Sequence, residues 1–432
     1  MSTRTSTDVL VVGGGPAGCA AAIVLAEAGH EVTVLDQRTG RETVTRGDLV
    51  VPAAVTALHE LDVDVARLGH TVLGTRMWHG DRSVAVRWPT DGSSRRAATT
   101  AATAGAVIAR DRLDDALRAR AVAAGADVRM GAQATSPLVD RGFVRGANVM
   151  IDDATIDDGA NTASTIEIGC RFLLVADGAN SRFGRGLGTH RDRRWPSAVT
   201  ASTIVASDRG SDAWLETHLG PLDANANPVT GHAWVHPRGD GTLNIGVTVS
   251  SSYRDVFGVN IVKLLDAFCV SIADRWRFDP TRLLVEPVRR RTPLGGSVGP
   301  TMGPTFLVAG DAAGMANPFT AHGMLAALTT GRIAAEVLDE ALTFGNSTTL
   351  QRYPARLDES FARYHKVGRL SARFLGRPWL LRTALRSGIR SEAAMGAALR
   401  IATNELRTGG DRGGAERAYR LALQVARFAP SW

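Results

Sequence analysis

Lysine is almost missing from this chain: Lys263 and Lys366 are the only two, and arginine carries nearly all the other positive charge. A net charge of +7 would ordinarily invite a nucleic-acid reading. Here the arginines are spread along the chain, so the skew reads as a compositional bias and no nucleic-acid partner is expected. Cysteine is scarce as well. Cys19, Cys170 and Cys269 stand far apart without metal spacing, which fits free thiols in a reducing compartment and predicts no metal site. No apolar run approaches the ~20 residues of a membrane span, and Met1–Asp8 shows no apolar signal core. The expectation is a cytosolic protein. At one place, residues 377–390 (RPWLLRTALRSGIR), arginines flank apolar residues at helical spacing. That stretch suits either a solvated helix packed on the body or a peripheral contact with anionic lipid.

What is present fills more than one core. The 432 residues exceed an ordinary single domain, and 44% apolar with 22% charged residues is a globular balance. Asp8–Val12 is an apolar run that flows into glycines, then an alanine-rich helical stretch ending near Gly29, then a second β-branched run, Glu31–Leu35. This order is a βαβ unit of a parallel sheet. Residues 71–88 alternate as antiparallel strands do, 110–125 read as a helix and 172–176 as a buried strand. Strands dominate 198–249, a helix follows near 262–275, and a buried strand at 306–309 leads to a helix from Gly323 to about Leu342. Residues 93–104, rich in Ser, Thr and Ala, read as an exposed loop. The polar stretch 152–164 is rich in turn residues, and 408–414 is glycine-rich. The expected fold is α/β. A discontinuous Rossmann-type nucleotide domain (1–70, 105–185 and 290–345) is interrupted by a β-rich substrate domain (71–104 and 186–289), and a helical region closes the chain (346–432).

Gly13-Gly14-Gly15-Pro16-Ala17-Gly18 places G-x-G-x-x-G after a strand and at the opening of a helix. Gly13 permits the tight turn, Gly15 lets a pyrophosphate approach the backbone, and Gly18 lets helix and strand pack closely. Phosphates then meet the positive end of the helix. Asp36, with Gln37 beside it, ends the second strand, where an acid can accept hydrogen bonds from an adenosine ribose. Two further motifs follow strands: Ala176-Asp177-Gly178-Ala179 and Ala309-Gly310-Asp311-Ala312-Ala313.

With these three motifs in this order, the chain resembles the single-Rossmann FAD enzymes, the superfamily of aromatic hydroxylases, flavin halogenases and geranylgeranyl reductases. The resemblance implies FAD as cofactor. Asp311 would bind the ribityl chain, Asp177 and Gly178 would lie near the pyrophosphate, and Arg110 would touch the cofactor from the head of its helix. No second G-x-G-x-x-G follows a strand, so any NAD(P)H that donates electrons would bind transiently. Gly310–Thr320 is similar to the geranylgeranyl reductase group, which includes the menaquinone reductases. So are Ala233–Gly241 with Asn244–Val247, and Arg46-Gly47-Asp48 ahead of Pro52. The same resemblance puts Arg46, Gly47, Pro318, Ala321, Gly323 and Met324 beside the cofactor.

The chain departs from that group at several positions. Arg46 stands for cysteine, Gly47-Asp48-Leu49 for Gly-Asp-Gly, Ala321-His322-Gly323 for Gly-Glu-Gly, His232 for an aromatic residue and His236 for phenylalanine. His322 is a candidate to donate a proton or polarise a substrate oxygen, since an imidazole titrates near neutral pH. The plainer reading makes it a helix-start residue bonded to backbone. His236 is a second catalytic candidate, and His232 and Trp234 are candidate pocket walls. Neither lysine lies where a halogenase needs one. The expected cavity lies between the domains, lined mostly by apolar groups, and takes a hydrophobic substrate such as a polyprenyl chain or quinone. The resemblance implies reduction of a carbon–carbon double bond by hydride transfer from reduced flavin. A monooxygenase using a flavin C4a-hydroperoxide is the alternative, and a non-catalytic flavin-binding escort protein the third reading.

Overall fold

The computed structural model describes residues 5–39, 48–88, 104–151, 164–223, 225–253, 256–404 and 423–424. Arg46 and Gly47 lie outside these residues, as do nearly all of the 93–104 and 152–164 stretches and the whole of 408–414.

The first strand, Thr5–Val12, is buried from Val9 onward. Val32–Asp36 pairs parallel on one side and Ser164–Val175 parallel on the other. Asp127–Met130 and Phe306–Val308 extend this parallel core outward. The carboxyl ends of these strands therefore open together at Gly13, Asp36, Ala176 and Ala309, the crevice where open α/β sheets bind ligands. The helix Pro16–Glu27 carries small residues, Ala17 and Ala20–Ala22, because a second helix, Met324–Thr343, lies against it. A Cβ on Gly331 would stand 2.2 Å from the Ala17 carbonyl oxygen.

The sheet is not purely parallel. Ala132–Asp140 and Phe143–Ile151 form a hairpin that pairs antiparallel with the first half of Ser164–Val175, while the second half of that strand holds the parallel partners. The sequence pattern missed this hairpin because it is largely half-exposed and shows no clear alternation.

A second sheet of seven strands runs Leu283–Pro293, Ser197–Ala206, Thr242–Ser250, Gly231–Pro237, Trp214–Leu219, Gly74–His79 and Arg82–Arg87. All neighbours are antiparallel except Trp214–Leu219 with Gly74–His79. Side chains alternate between its two faces, both of which are covered along the central strands. Ala201, Val205, Val235, Ile245 and Val247 pack under the helix Ile261–Trp276, which Asn260 caps through the Val262 and Lys263 amides. The opposite face carries Thr200, Ser202, Trp234, Gly246 and Thr248 toward the first sheet.

Three helices end the described chain: Arg352–Leu375, Pro378–Gly388 and Glu392–Ala402. Fully buried Tyr353 donates its hydroxyl to the Val308 carbonyl at 3.0 Å and so fixes the first of them to the parallel core. Trp379, on the second, is 62% exposed. Among the described residues, no helix is long and apolar enough to cross a membrane.

Candidate active site

A cavity of about 1410 Å³ lies between the two sheets. That exceeds the 300–1,000 Å³ of a usual small-molecule pocket and leaves room for a dinucleotide with a second ligand beside it.

One wall is backbone. Gly13 has φ +112°, and a Cβ there would stand 2.3 Å from the Ala176 carbonyl oxygen. The Gly13 amide donates to Leu35 and the Ala176 amide to Val12, which locks the turn across three strands. A Cβ on Gly18 would meet the Gly13 carbonyl at 2.0 Å, whereas one on Gly15 would meet nothing within 4 Å. Space is thus left open at Gly15, in front of the start of the helix Pro16–Glu27. A diphosphate fits there, on amides that point outward with the positive end of the helix dipole behind them.

Beside it, Asp177 accepts from the Phe183 amide with one oxygen, while its other oxygen is buried without a hydrogen-bond partner. Burial raises its pKa, and a ligand hydroxyl or amide would satisfy the orphan oxygen. Gly310 opens the turn Gly310–Ala313, and Asp311 stands at the cavity with an oxygen 2.6 Å from the position of a Gly323 Cβ. Arg110 lines the cavity with its Nη2 on Asp114 at 2.9 Å and its buried Nε unpartnered. These orphan groups and this cradle fit FAD.

Asp36 is engaged more fully than the sequence suggests. Arg38 forks onto both its oxygens, at 2.6 Å for the shortest bond, and reaches Asp114 at 2.7 Å. Burial opposes the charge on Asp114, but Arg110 and Arg38 outweigh it and hold the carboxyl below its usual range. The exposed Gln37 lines the cavity while Asp36 lies behind it. A carboxylate offers about four acceptor sites, so Asp36 keeps capacity for a ribose.

The other wall is side chain. Trp234 packs against Gly246, where a Cβ would fall 2.0 Å from the indole, and donates its Nε1 to Asn244 at 3.1 Å. Behind it His236 is 2% exposed, with its Nδ1 2.9 Å from buried Asp48. The second oxygen of Asp48 has no hydrogen-bond partner, and Arg238 stands 4.0 Å from it. The Asp48–His236 pair was not legible in the sequence. Its only signal was that both residues fall in segments resembling the same reductase group.

His322 lines the cavity at the turn before Met324–Thr343; its amide donates to Thr320 and its carbonyl accepts from Asn317. The expectation that it titrates near neutrality does not hold. Burial, then His236 and His232, depress its pKa to about 3, so the ring is neutral at pH 7. His232 is held down to about 4 by burial and His236. These three histidines, each at a position where the resemblance expects another residue, thus form one neighbourhood around Trp234. Of them, only His322 lines the cavity itself. Ala321 and Met324 line it too, whereas Pro318 packs against Gly368 of the helix Arg352–Leu375.

The lining is also less apolar than expected. Arg185, Arg191, Arg193 and Arg289–Arg291 stand around the cavity, and of the last three it is Arg290 that pairing with Thr200 turns to the cavity face. A small recess of about 40 Å³ beyond His322 and Met324 is walled by Val51, Met315, Phe361 and Tyr364 together with Asn317 and Thr403.

Comparison with known proteins agrees with this geometry. Residues 6–219 match the FAD binding domain family. The chain is 33% identical to the menaquinone reductase of Mycobacterium tuberculosis over 99% of this chain and 98% of that protein. It is 28% identical to the digeranylgeranylglycerophospholipid reductase of Methanosarcina acetivorans, over 78% and 76% of the two. A geranylgeranyl bacteriochlorophyll reductase-like protein from Thermoplasma acidophilum shares the fold at TM-score 0.75 and 24% identity, covering 93% of this chain and 98% of that one. The chain is an FAD-dependent oxidoreductase and belongs to the family of the menaquinone and geranylgeranyl reductases.

Proposed function

We propose that the protein reduces a carbon–carbon double bond in the polyprenyl chain of a hydrophobic substrate, such as a prenylated quinone. The observation that carries this reading is the apolar recess set against the large cavity. Leu49, Thr320, His322 and Met324 line both, so that wall offers apolar contact to an isoprene unit beyond the cofactor's side. The names of the menaquinone and digeranylgeranylglycerophospholipid reductases support the same class of substrate.

Bound FAD supplies the two-electron chemistry, and the protein binds, orients and desolvates. The Gly15 opening and the helix start at Pro16 receive the diphosphate. Trp234 offers a flat wall for a planar ring or an isoprene unit. His322, neutral at pH 7, can donate one hydrogen bond to a substrate oxygen and orient the head group from which the chain extends. It carries no acidic proton at that pH, so the proton needed at the product carbon comes from solvent.

The test is to reduce the FAD-loaded protein chemically without oxygen, add a menaquinone, and weigh the extracted product. After the extracted quinol is re-oxidised to the quinone in air, a product still heavier by two hydrogen atoms is expected. An unchanged quinone without oxygen, together with a product that has gained an oxygen atom in air, would overturn the reading in favour of a monooxygenase.

A further inference from the structure

Charge is unevenly distributed along the C-terminal helices. At the start of Arg352–Leu375 the arginines are paired: Arg352 reaches Glu340 at 2.8 Å and Arg356 reaches Glu336 at 2.5 Å. Between Glu359 and Glu392 the sequence then holds eight basic residues and no acidic one. The helix Pro378–Gly388 lies within that stretch. Its apolar side is already used, since Leu385 and the capping residue Ile389 are buried against the body. The opposite side is not. Trp379, Thr383 and Arg386 recur at i, i+4 and i+7, a spacing that puts them on one helical face, and all three are exposed. Arg390, also exposed, follows just past the helix end, and exposed Arg377 precedes its start. Among the described residues, no carboxylate lies within ion-pair distance of Arg377, Arg386 or Arg390. A single apolar side chain in water needs no partner, but an indole in line with a basic row is a combination of two signals.

We propose that this face docks the protein reversibly on an anionic lipid bilayer. Guanidinium groups match the phosphate oxygens of lipid head groups, and basic clusters are drawn to the negative surface potential of such a membrane. The Trp379 indole suits the boundary between head groups and acyl chains, where tryptophan is enriched. With Leu385 and Ile389 packed inward, the helix has no apolar stripe left to sink into the acyl layer, so binding is shallow and sensitive to salt. The same helix joins the two that wall the small recess, through Phe361, Tyr364 and His365 on one and Ala402 on the other. A prenylated substrate dissolves in a bilayer, so docking brings the enzyme to it. That use of the face rests on the reductase reading; the docking itself does not.

The FAD-loaded protein is sedimented with vesicles of phosphatidylcholine alone and with vesicles of two parts phosphatidylcholine to one part phosphatidylglycerol, and FAD content and circular dichroism are measured on every variant. Binding to the anionic vesicles is expected, with little to the neutral ones and a steady loss as salt is raised. The double variant Arg386→Gln/Arg390→Gln should bind at least about tenfold more weakly, and Trp379→Ala several-fold more weakly. Thr383→Glu places an acid on the same exposed face, should also weaken binding, and keeps the test decisive if the double variant does not fold. A control, Arg67→Gln/Arg282→Gln, removes the same charge from two side chains that are each 87% exposed elsewhere on the protein, and should bind like the unaltered chain. Absence of binding, equal binding to neutral vesicles, unchanged binding in the face variants, or an equal loss in the control would each overturn the proposal; the last would show that net charge alone holds the protein to lipid. None of these readouts depends on turnover, so a failure here is separable from a failure of the reductase reading.

Discussion

The two walls of the cavity are built on opposite principles. The glycine-turn wall is mostly backbone, built from short turns, and removing side chains is what shapes it: Gly13 and Gly18 exist so that two backbone segments can touch, Gly15 so that a ligand can. The second-sheet wall consists of side chains brought from distant segments. Its polar members hold one another in place, Asp48 with His236 and Trp234 with Asn244. Cofactor binding therefore depends on geometry that any residue with a Cβ would break. Substrate selection depends on pairs that can be exchanged without changing the fold. This is how one superfamily keeps its cofactor while changing its chemistry.

The comparison breaks most visibly at the glycines. Gly13→Ala forces a Cβ into the Ala176 backbone at a positive φ and should cost roughly 3 kcal/mol of stability together with all bound flavin. Gly15→Ala, at φ −85° with open space around it, should leave the unfolding midpoint of the FAD-free protein nearly unchanged and still weaken FAD binding by at least about tenfold. Flavin absorbance after gel filtration and a thermal scan read both. Equal loss of stability in the two variants would refute the distinction.

Acid tests the side-chain wall next. His322 (about 3), His232 (about 4) and the buried His365 (about 3) all have pKa values depressed by burial. The unfolded chain binds protons below pH 6.5 that the folded chain excludes, so stability should fall as pH drops from 6.5 toward 4. The slope reaches up to about 1.4 kcal/mol per pH unit for each of the three histidines. Denaturant titrations at pH 7, 6 and 5 measure it, and a flat profile would contradict the burial described for these rings.

A double-mutant cycle sharpens the contrast further. His236→Phe leaves Asp48 buried without its partner and should cost about 3 kcal/mol, and Asp48→Asn a similar amount. The double variant should be less destabilised than the sum of the two, by about 1–3 kcal/mol, and additivity in urea unfolding would mean the residues do not interact. The smallest effect is at Ala321, held at φ +59° where the family resemblance expects glycine. Ala321→Gly relieves a left-handed alanine at the expense of some chain entropy and should raise stability by about 0.5–1 kcal/mol. A loss of stability would show that the turn is not strained.

What could be read from the sequence follows the same division. The turn at Gly13, the helix start at Pro16, the acids Asp177 and Asp311 and the order of the parallel strands are encoded within short windows, and local patterns found them. Asp48 meets His236 only through the closure of one sheet over the other, so no window contains both. Arg290 reads as one basic residue among three in an arginine-rich chain until its pairing with Thr200 turns it to the cavity face. Burial also reversed an inference drawn from residue type. A histidine beside a flavin suggests an acid, but His322 has neighbours of its own kind and remains neutral.

Trp234 has a further consequence. An indole bonded to Asn244 and packed on a residue without a side chain is restrained from two sides, so a ligand that stacks on it has less motion to freeze. Such a surface behaves as a template, and affinity rises with planarity and fit rather than with the adaptability of the site. The enzyme should accordingly tolerate variation in the length of the substrate's tail far better than variation in the shape of the part that rests on this ring.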